Sequence, residues 1–517
     1  MLRRWHGLLA ACVAWIASLS ATEHIITVDG SKIITENWIG NGVQWAAYPH
    51  CDTANEAKGF TYGPLSDAQF ERVLARLDVM QPQFMRFMII GCWRYFEGFD
   101  SAGEPIVDYE NEEMQFLYRC LDYCQSRGIT VLFGEWGPRL GKSSGKSAGS
   151  WMSLPAYDER WMDMIADMLH HLIVVKGYDC IRYYDFENEP YLSWSYSAGD
   201  FKKYTRGMRL LHEALERRGI RDRILLNCSW GSGWPATTLK PEQVRSIAPY
   251  ADIYDEHHYM GQKAALRTDW SKRIRKHSNM IRKNDREAPG FFVGETNFKP
   301  KEERLNPLKE FCYNGKSIPN TGKDSTTAVF EWENGVDMAV NAIQKMRGGL
   351  LGTIAWQFDD AMHTQDDSGR DLKRWGFFDS MGETYSDRSD LEELRPWFYT
   401  WTLMCRSFPQ GMQILDTENG LGDGISAVAG RMGDRWVVAL VNVSDAARTV
   451  QIDWCNGPSY VDFKQYNYFR DQILSDAEGQ PLPVLEKQGI DLADGMQLSF
   501  HGKGFILLDL LELSPSR

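Results

Sequence analysis

The sequence predicts an α/β protein: a (β/α)8 TIM barrel followed by an antiparallel β-sandwich. Three observations lead there. From residue 39 to about residue 403, short apolar strand-like runs alternate with amphipathic helical patterns, and strict alternation implies parallel strands joined by helical crossovers. There are eight such runs, the number that closes a barrel rather than leaving an open sheet. After that the helical period gives way to short alternating runs separated by turn residues, the pattern of a sandwich over 404–517.

The elements follow in chain order. Residues 1–20 read as an export signal, with Arg3 and Arg4 as a positive start, an apolar stretch from Leu8 to Leu19, and small residues Ser18 and Ser20 for cleavage after Ser20. The expectation is a secreted, periplasmic or cell-surface protein. Leu9, Ala10, Ala11 and Cys12 are similar to a lipoprotein box, so lipid anchoring at Cys12 is the alternative, although the apolar run continues past Cys12. No later apolar run is long enough for an integral membrane segment. HIITVDGSKIIT within 21–38 predicts a hairpin turning at Asp29 and Gly30, which would join the sandwich or cap the barrel floor.

The barrel strands are expected at 39–48, 84–90, 129–136, 181–187, 224–230, 251–259, 291–295 and 352–358. Helices are expected at Asp67 to Met80, Asn111 to Arg127, Asp158 to Lys176, Asp200 to Arg218 and Ala328 to Arg347. The polar stretch GKSSGKSAGS at 141–150 follows the third strand and would border a cleft at that end. In the last segment, Trp436 to Val443, Thr449 to Trp454 and Phe505 to Leu511 read as sandwich strands.

Composition narrows the function classes. A chain of 517 residues exceeds what one core usually supports. A net charge of −13 argues against nucleic acid or an anionic membrane as partner, since both reward clustered Lys and Arg. The ten cysteines lack CxxC spacing, so neither a zinc site nor a dense disulfide framework is suggested, and Cys120 and Cys124 would share one helix face. Oligomeric state is not legible.

Two stretches carry the chemistry. IRYYDFENEP at 181–190 is an apolar run that breaks off into Asn188, Glu189 and Pro190, and FFVGETNF at 291–298 breaks off at Glu295. Two carboxylates thus sit at the ends of strands four and seven, on the face where barrel enzymes place their active sites. Glycoside hydrolysis needs that pairing: one carboxylic acid protonates the leaving oxygen while a second carboxylate attacks the sugar carbon or activates water.

With Arg86 on strand two, His257 and Tyr259 on strand six and Trp356 on strand eight, the NEP and GE strand ends resemble the clan A retaining glycoside hydrolases, and the two-domain plan is similar to families 5, 30 and 39. WGFFDS at 375–380 also resembles the barrel exit of that clan. The resemblance implies Glu189 as acid and base, held protonated in the free enzyme by desolvation and nearby negative charge, and Glu295 as nucleophile, kept ionised by Arg86 and a hydrogen bond from Tyr259. It implies Asn188 on the sugar 2-hydroxyl and a β-linked poly- or oligosaccharide as substrate. Carboxyl groups about 5 to 5.5 Å apart mark retaining enzymes, against about 6.5 to 9.5 Å for inverting ones.

Competing readings attach to the same residues. Glu187 shares the strand parity of Glu189 about 6.6 Å lower and reads as a buried partner. Asp255, Glu256, His257 and His258 suggest a metal, but neighbouring strand residues point to opposite faces, so no metal is expected. Trp45, Trp93, Trp136, Trp194, Trp230 and Trp356 all fall at or just beyond strand ends. Indoles stack on sugar faces or pack in cores; Trp356 and Trp136 are the preferred sugar pair, and Glu135 would bind a hydroxyl or serve as a salt-bridged rim acid. GPRLGKS at 137–143 has the wrong glycine spacing for a phosphate loop, no GxSxG elbow is present, and no cofactor is expected. A catalytically silent glycan-binding barrel is the alternative from another class.

Overall fold

Eight parallel strands close into a barrel: Gly40–Gln44, Phe84–Ile89, Thr130–Glu135, Ile181–Asp185, Leu225–Gly231, Ile253–Gly261, Phe291–Lys299 and Gly352–Ala355, each paired with its neighbour in chain order and the last with the first. The computed structural model describes residues 22–45, 65–89, 95–135, 157–193, 195, 197–231, 238–261, 270–299, 312–318, 325–360, 374–419 and 424–513. All eight predicted runs are barrel strands.

The crossover helices begin where short polar side chains can satisfy free backbone N–H groups. Ser66 caps Asp67–Met80 in a capping box with Gln69, Asn111 caps Glu112–Arg127, Asp158 caps Glu159–His170, and Asp200 caps Phe201–Arg217. The predicted helix at 158–176 is α-helical only to His170 and continues as a π-helical turn, His171–Val175. The one predicted from Ala328 starts as a 3-10 turn, Thr327–Phe330, before the α-helix Glu333–Arg347.

Barrel interiors are packed in layers. The floor is apolar: Ile39, Phe84, Leu132, Tyr183, Ile253, Phe292 and Ile354 form one cluster, with Phe84, Tyr183 and Phe292 meeting edge to face. Two residues further along strands two, four and six stand Arg86, Asp185 and Asp255, all fully buried. This polar layer is what lifts the site above the floor.

The C-terminal strands form one hydrogen-bonded sheet of ten. Its ends curl together over a single apolar core, so that Phe469 and Phe500, from strands at opposite ends of the sheet order, meet at 6.0 Å. The predicted hairpin at the N-terminus is instead one strand, Thr22–Thr35, parallel to Arg448–Cys455 and antiparallel to Gln413–Asn419. Asp29 and Gly30 produce a register shift between Val28 and Ile33 rather than a turn. Asn456 donates to Asp29 Oδ1, and its carbonyl lies 2.1 Å from where a Cβ of Gly30 would stand, so the pair answers to a neighbouring strand.

The helix Glu333–Arg347 explains how the two units join. It is buried on every side from Asn334 to Arg347 because the barrel covers one face and the sheet the other. Tyr468 of the sheet stacks on Trp332 and donates to its carbonyl, and Gln344 bonds Ser426. Cys120 and Cys124, one helical turn apart, are both buried. No helix among the described residues is long and apolar enough to cross a membrane.

Candidate active site

Arg86 organises the upper barrel. Its side chain is wholly buried, and such a cation requires compensation. Nη1 donates to Gln44 Oε1 and to Glu295 Oε2, each at 2.7 Å, Nη2 donates to Asn188 Oδ1 at 2.6 Å, and Asp185 Oδ2 stands 3.7 Å away. Burial works against the charge, but Glu295, Asp255 and Asp185 outweigh it and raise the guanidinium further.

Glu295 reaches this cluster through a bulge. Phe292 packs in the barrel floor while Phe291 and Val293 pack outward, so period-two alternation would turn Glu295 outward as well. The register with strand six slips between Val293 and Glu295, placing Glu295 opposite His257 and Asn297 opposite Tyr259, all directed inward. The extra residue is Gly294. Its N–H donates to Asp255 Oδ1 at 2.5 Å, and a Cβ there would fall 2.3 Å from Asp255 Oδ2.

As a carboxylate, Glu295 accepts from Arg86 on one oxygen and from the Tyr259 hydroxyl on the other. Burial, with Glu295 close by, drives the Tyr259 hydroxyl well above the ordinary phenol range, so it stays a donor. Tyr259 is in turn packed edge to face by Trp375 at 5.8 Å. Trp375 is set by Asp360, whose Oδ1 accepts from the N–H groups of Trp375 and Gly376 and from Arg395.

Strand four ends at Asp185, and past it the alternation is lost. Glu187, of the same parity as Glu189, turns to the following loop, where Oε1 and Oε2 accept from the Ser197 N–H and hydroxyl at 2.6 Å; burial pushes its carboxyl up to about 7. Glu189 has φ +48°, a left-handed conformation that side chains avoid unless the surroundings impose it. It is the most accessible of the acids, its side chain 17% exposed.

His257 Nδ1 lies 3.0 Å from Glu189 Oε1 and 3.5 Å from Glu295 Oε2, and Nε2 lies 3.8 Å from Asp255 Oδ2. Burial pulls its imidazole down to about 3, so the ring is neutral. Asp185 is pushed up to about 7 by burial against the pull of Arg86, and burial drives Asp255 well above the ordinary carboxylate range. The outward neighbours on strand six form a separate cluster: Glu256 meets His258 at 3.1 Å and His277 at 2.6 Å.

The four-residue metal group is therefore divided between two faces. A different trio, Glu189, His257 and Glu295, brings one ligand-type atom from each within 4.8 Å of the others. Arg86, bonded to Glu295 at 2.7 Å, already supplies the positive charge there and opposes a divalent cation.

The structure thus gathers Arg86, Asn188, Glu189, His257, Tyr259 and Glu295 around one point. Trp356, nearly buried, stands beside them, its carbonyl accepting from Asn297 and its N–H bonding Thr296 O at the end of strand seven. Glu135 is fully buried at the end of strand three and accepts from the Tyr95 hydroxyl at 2.7 Å. Trp136, Trp93, Trp194 and the 141–150 loop lie outside the described residues. Trp45 packs against Phe70, Phe87 and Phe116, and Trp230 against Phe201 and Tyr204, both as core residues.

Sequence reasoning missed Gln44 and Asp185, weighed Asp255 only as part of a metal group, and read Trp375 only as part of the WGFFDS stretch. Asp185 and Asp255 carried a signal, because each stands two residues beyond an inward floor residue, Tyr183 and Ile253, whereas Gln44 is out of phase with Ile39. The contact of Trp375 with Tyr259 carried none, since the two are remote in the chain.

No family model matches the chain, and no curated protein matches it. Solved structures of similar fold include a GH30 endoxylanase from Clostridium papyrosolvens (10% identity, TM-score 0.58, covering 94% of this chain and 100% of that one). A GH39 β-xylosidase from Caulobacter crescentus aligns at 14% identity and TM-score 0.57, and an α-L-arabinofuranosidase from Thermotoga maritima at 13% and 0.60, each covering 95% of this chain and 100% of the other. Over nearly its whole length, the chain has the barrel-and-sandwich fold of these proteins.

Proposed function

We propose that this protein is a retaining glycoside hydrolase that cleaves β-glycosidic bonds in a poly- or oligosaccharide by double displacement. One observation carries the reading: carboxylate oxygens of Glu189 and Glu295, from strands four and seven, lie within 4.8 Å of each other. Oxygens that close bring both acids to one glycosidic bond, the pairing in which one carboxylate attacks directly while the other protonates the leaving oxygen. Proteins of similar fold are named endoxylanase, β-xylosidase, glucosidase and α-L-arabinofuranosidase, which supports a glycan substrate.

In the first step a Glu295 oxygen attacks the anomeric carbon as Glu189 gives its proton to the glycosidic oxygen, releasing the leaving sugar and forming a glycosyl ester. In the second, Glu189 takes a proton from water, whose oxygen displaces Glu295 and restores the starting configuration. Arg86 and Tyr259 hold both Glu295 oxygens in line. Asn188, its Oδ1 occupied by Arg86, keeps its NH2 for the 2-hydroxyl, and Trp356 offers an indole face. The neutral ring of His257 holds Glu189 without adding a charge beside it.

Export through residues 1–20, with lipid attachment at Cys12 as the variant form, completes the proposal and would place the enzyme with extracellular glycans. Purified protein is assayed on a panel of β-glycans with product sizing, and proton NMR identifies the first anomer released. Glu189→Gln and Glu295→Gln should each abolish turnover with the fold intact. Unchanged activity in either variant would refute the residue assignment, and first release of the α anomer would refute double displacement.

A further inference from the structure

Two glutamine amides at the barrel mouth are buried without full partners. Gln44 ends strand one opposite Arg86, is 0% exposed, and uses its Oε1 to accept from Arg86 Nη1, the same nitrogen that serves Glu295. Its Nε2, with two donor hydrogens, has no partner among the described residues. Gln357 follows Trp356 at the end of strand eight and is 1% exposed, and neither its Oε1 nor its Nε2 has a partner among the described residues. The two are neighbours, because the N–H of Phe358 donates to the carbonyl of Gln44 at 2.9 Å.

An unmet buried amide costs about 1 to 3 kcal/mol, so folded proteins retain such groups where a ligand or an ordered water meets them. The unmet donors of Gln44 stand beside the pair Arg86 and Glu295, where a sugar bound for attack would present its hydroxyls, and Gln357 follows Trp356 just past the adjoining strand. We infer that Gln44 and Gln357 bind hydroxyl groups of the sugar seated against Glu295 and set which uncharged sugar that subsite accepts. This rests on the glycosidase reading above. A site built to bond a hydroxyl discriminates strongly against a substrate lacking it, because the site's own polar groups are then left unpaired.

The test uses the full chain, four 4-nitrophenyl β-D-glycosides (glucoside, galactoside, mannoside and xyloside), and the monodeoxy analogues of whichever is cleaved best. Gln357→Met keeps the side-chain length without its polar atoms. Gln44→Glu keeps the acceptor for Arg86 and removes the donors. Each variant should lose about tenfold or more in kcat/KM on the parent glycoside while cleaving one deoxy analogue as well as the wild type does, so that discrimination disappears at one hydroxyl. Wild-type discrimination at every position in both variants would overturn the inference and leave the amides to ordered water. If the wild type cleaves neither these four nor any member of the β-glycan panel, the proposed function fails separately. Calorimetric binding of the same glycosides then decides: about tenfold weaker binding in the variants sustains the inference, and equal or absent binding overturns it.

Discussion

Gly294 and Asp255 compete for the same space: the Asp255 carboxylate fills the position a Gly294 side chain would need, with Oδ2 2.3 Å from the ideal Cβ. Through that contact the strand-seven bulge is held and Glu295 is turned inward. Gly294→Ala should therefore damage aim and stability together. We expect about 1 to 3 kcal/mol lost in urea unfolding from overpacking, and about a hundredfold lower kcat from a displaced carboxylate. An alanine variant with wild-type kcat would show that the bulge does not position Glu295.

Tyr259→Phe removes one of the two donors to Glu295 and little else, since the ring still packs against Trp375. A hydrogen bond to a charged group contributes about 1.5 to 3 kcal/mol, so kcat should drop about 10- to 100-fold. The melting temperature should stay nearly constant. A large drop in melting temperature with an unchanged kcat would assign the hydroxyl to packing.

Asp185 links stability to pH. Its folded pKa, raised from 3.8 to about 7, means that between about pH 4 and pH 7 the native chain keeps a proton the unfolded chain has lost. Stability therefore falls as pH rises through that window, by a few kcal/mol at most, since each pH unit crossed there costs on the order of 1.4 kcal/mol. Asp185→Asn should gain on the wild type as pH rises from 4 to 7 in urea titrations. A difference between the two proteins that stays constant with pH would contradict this.

His257 acts in the opposite sense. With its folded pKa near 3 and the ordinary value at 6.5, the unfolded chain takes up a proton that the native ring refuses, so stability falls as pH drops from about 6.5 towards 3. At pH 5 the imidazole signals of the wild type should include one neutral ring that His257→Gln removes. A His257 ring charged at pH 5 would sink both the linkage and the neutral contact with Glu189.

Chelation tests the trio of Glu189, His257 and Glu295 as a cation site. Because Arg86 supplies the local positive charge, dialysis against a strong chelator should leave hydrolysis unchanged. Loss of activity restored by one added divalent ion would make the trio a metal centre.

Strand four shows how far local pattern carries. The apolar run from Ile181 marked a barrel strand, and its break into polar residues marked the site, because buried parallel strands are written as apolar stretches with function at their carboxyl ends. Parity then failed: Glu187 has the phase of Glu189 but answers to Ser197, since the strand ends at Asp185 and the chain bends away. Strand seven failed in the complementary way, for no period predicts the slip at Gly294.

Strand and helix order, the barrel and the position of both acids at its mouth were legible along the chain, because hydrophobic period and capping residues act over a few neighbours. Only the packed molecule turns those acids inward, brings Gln44 and Asn188 onto Arg86, and places Thr22–Thr35 in the C-terminal sheet. Those outcomes depend on side chains remote in the chain competing for one volume and one charge, and local sequence does not encode that competition.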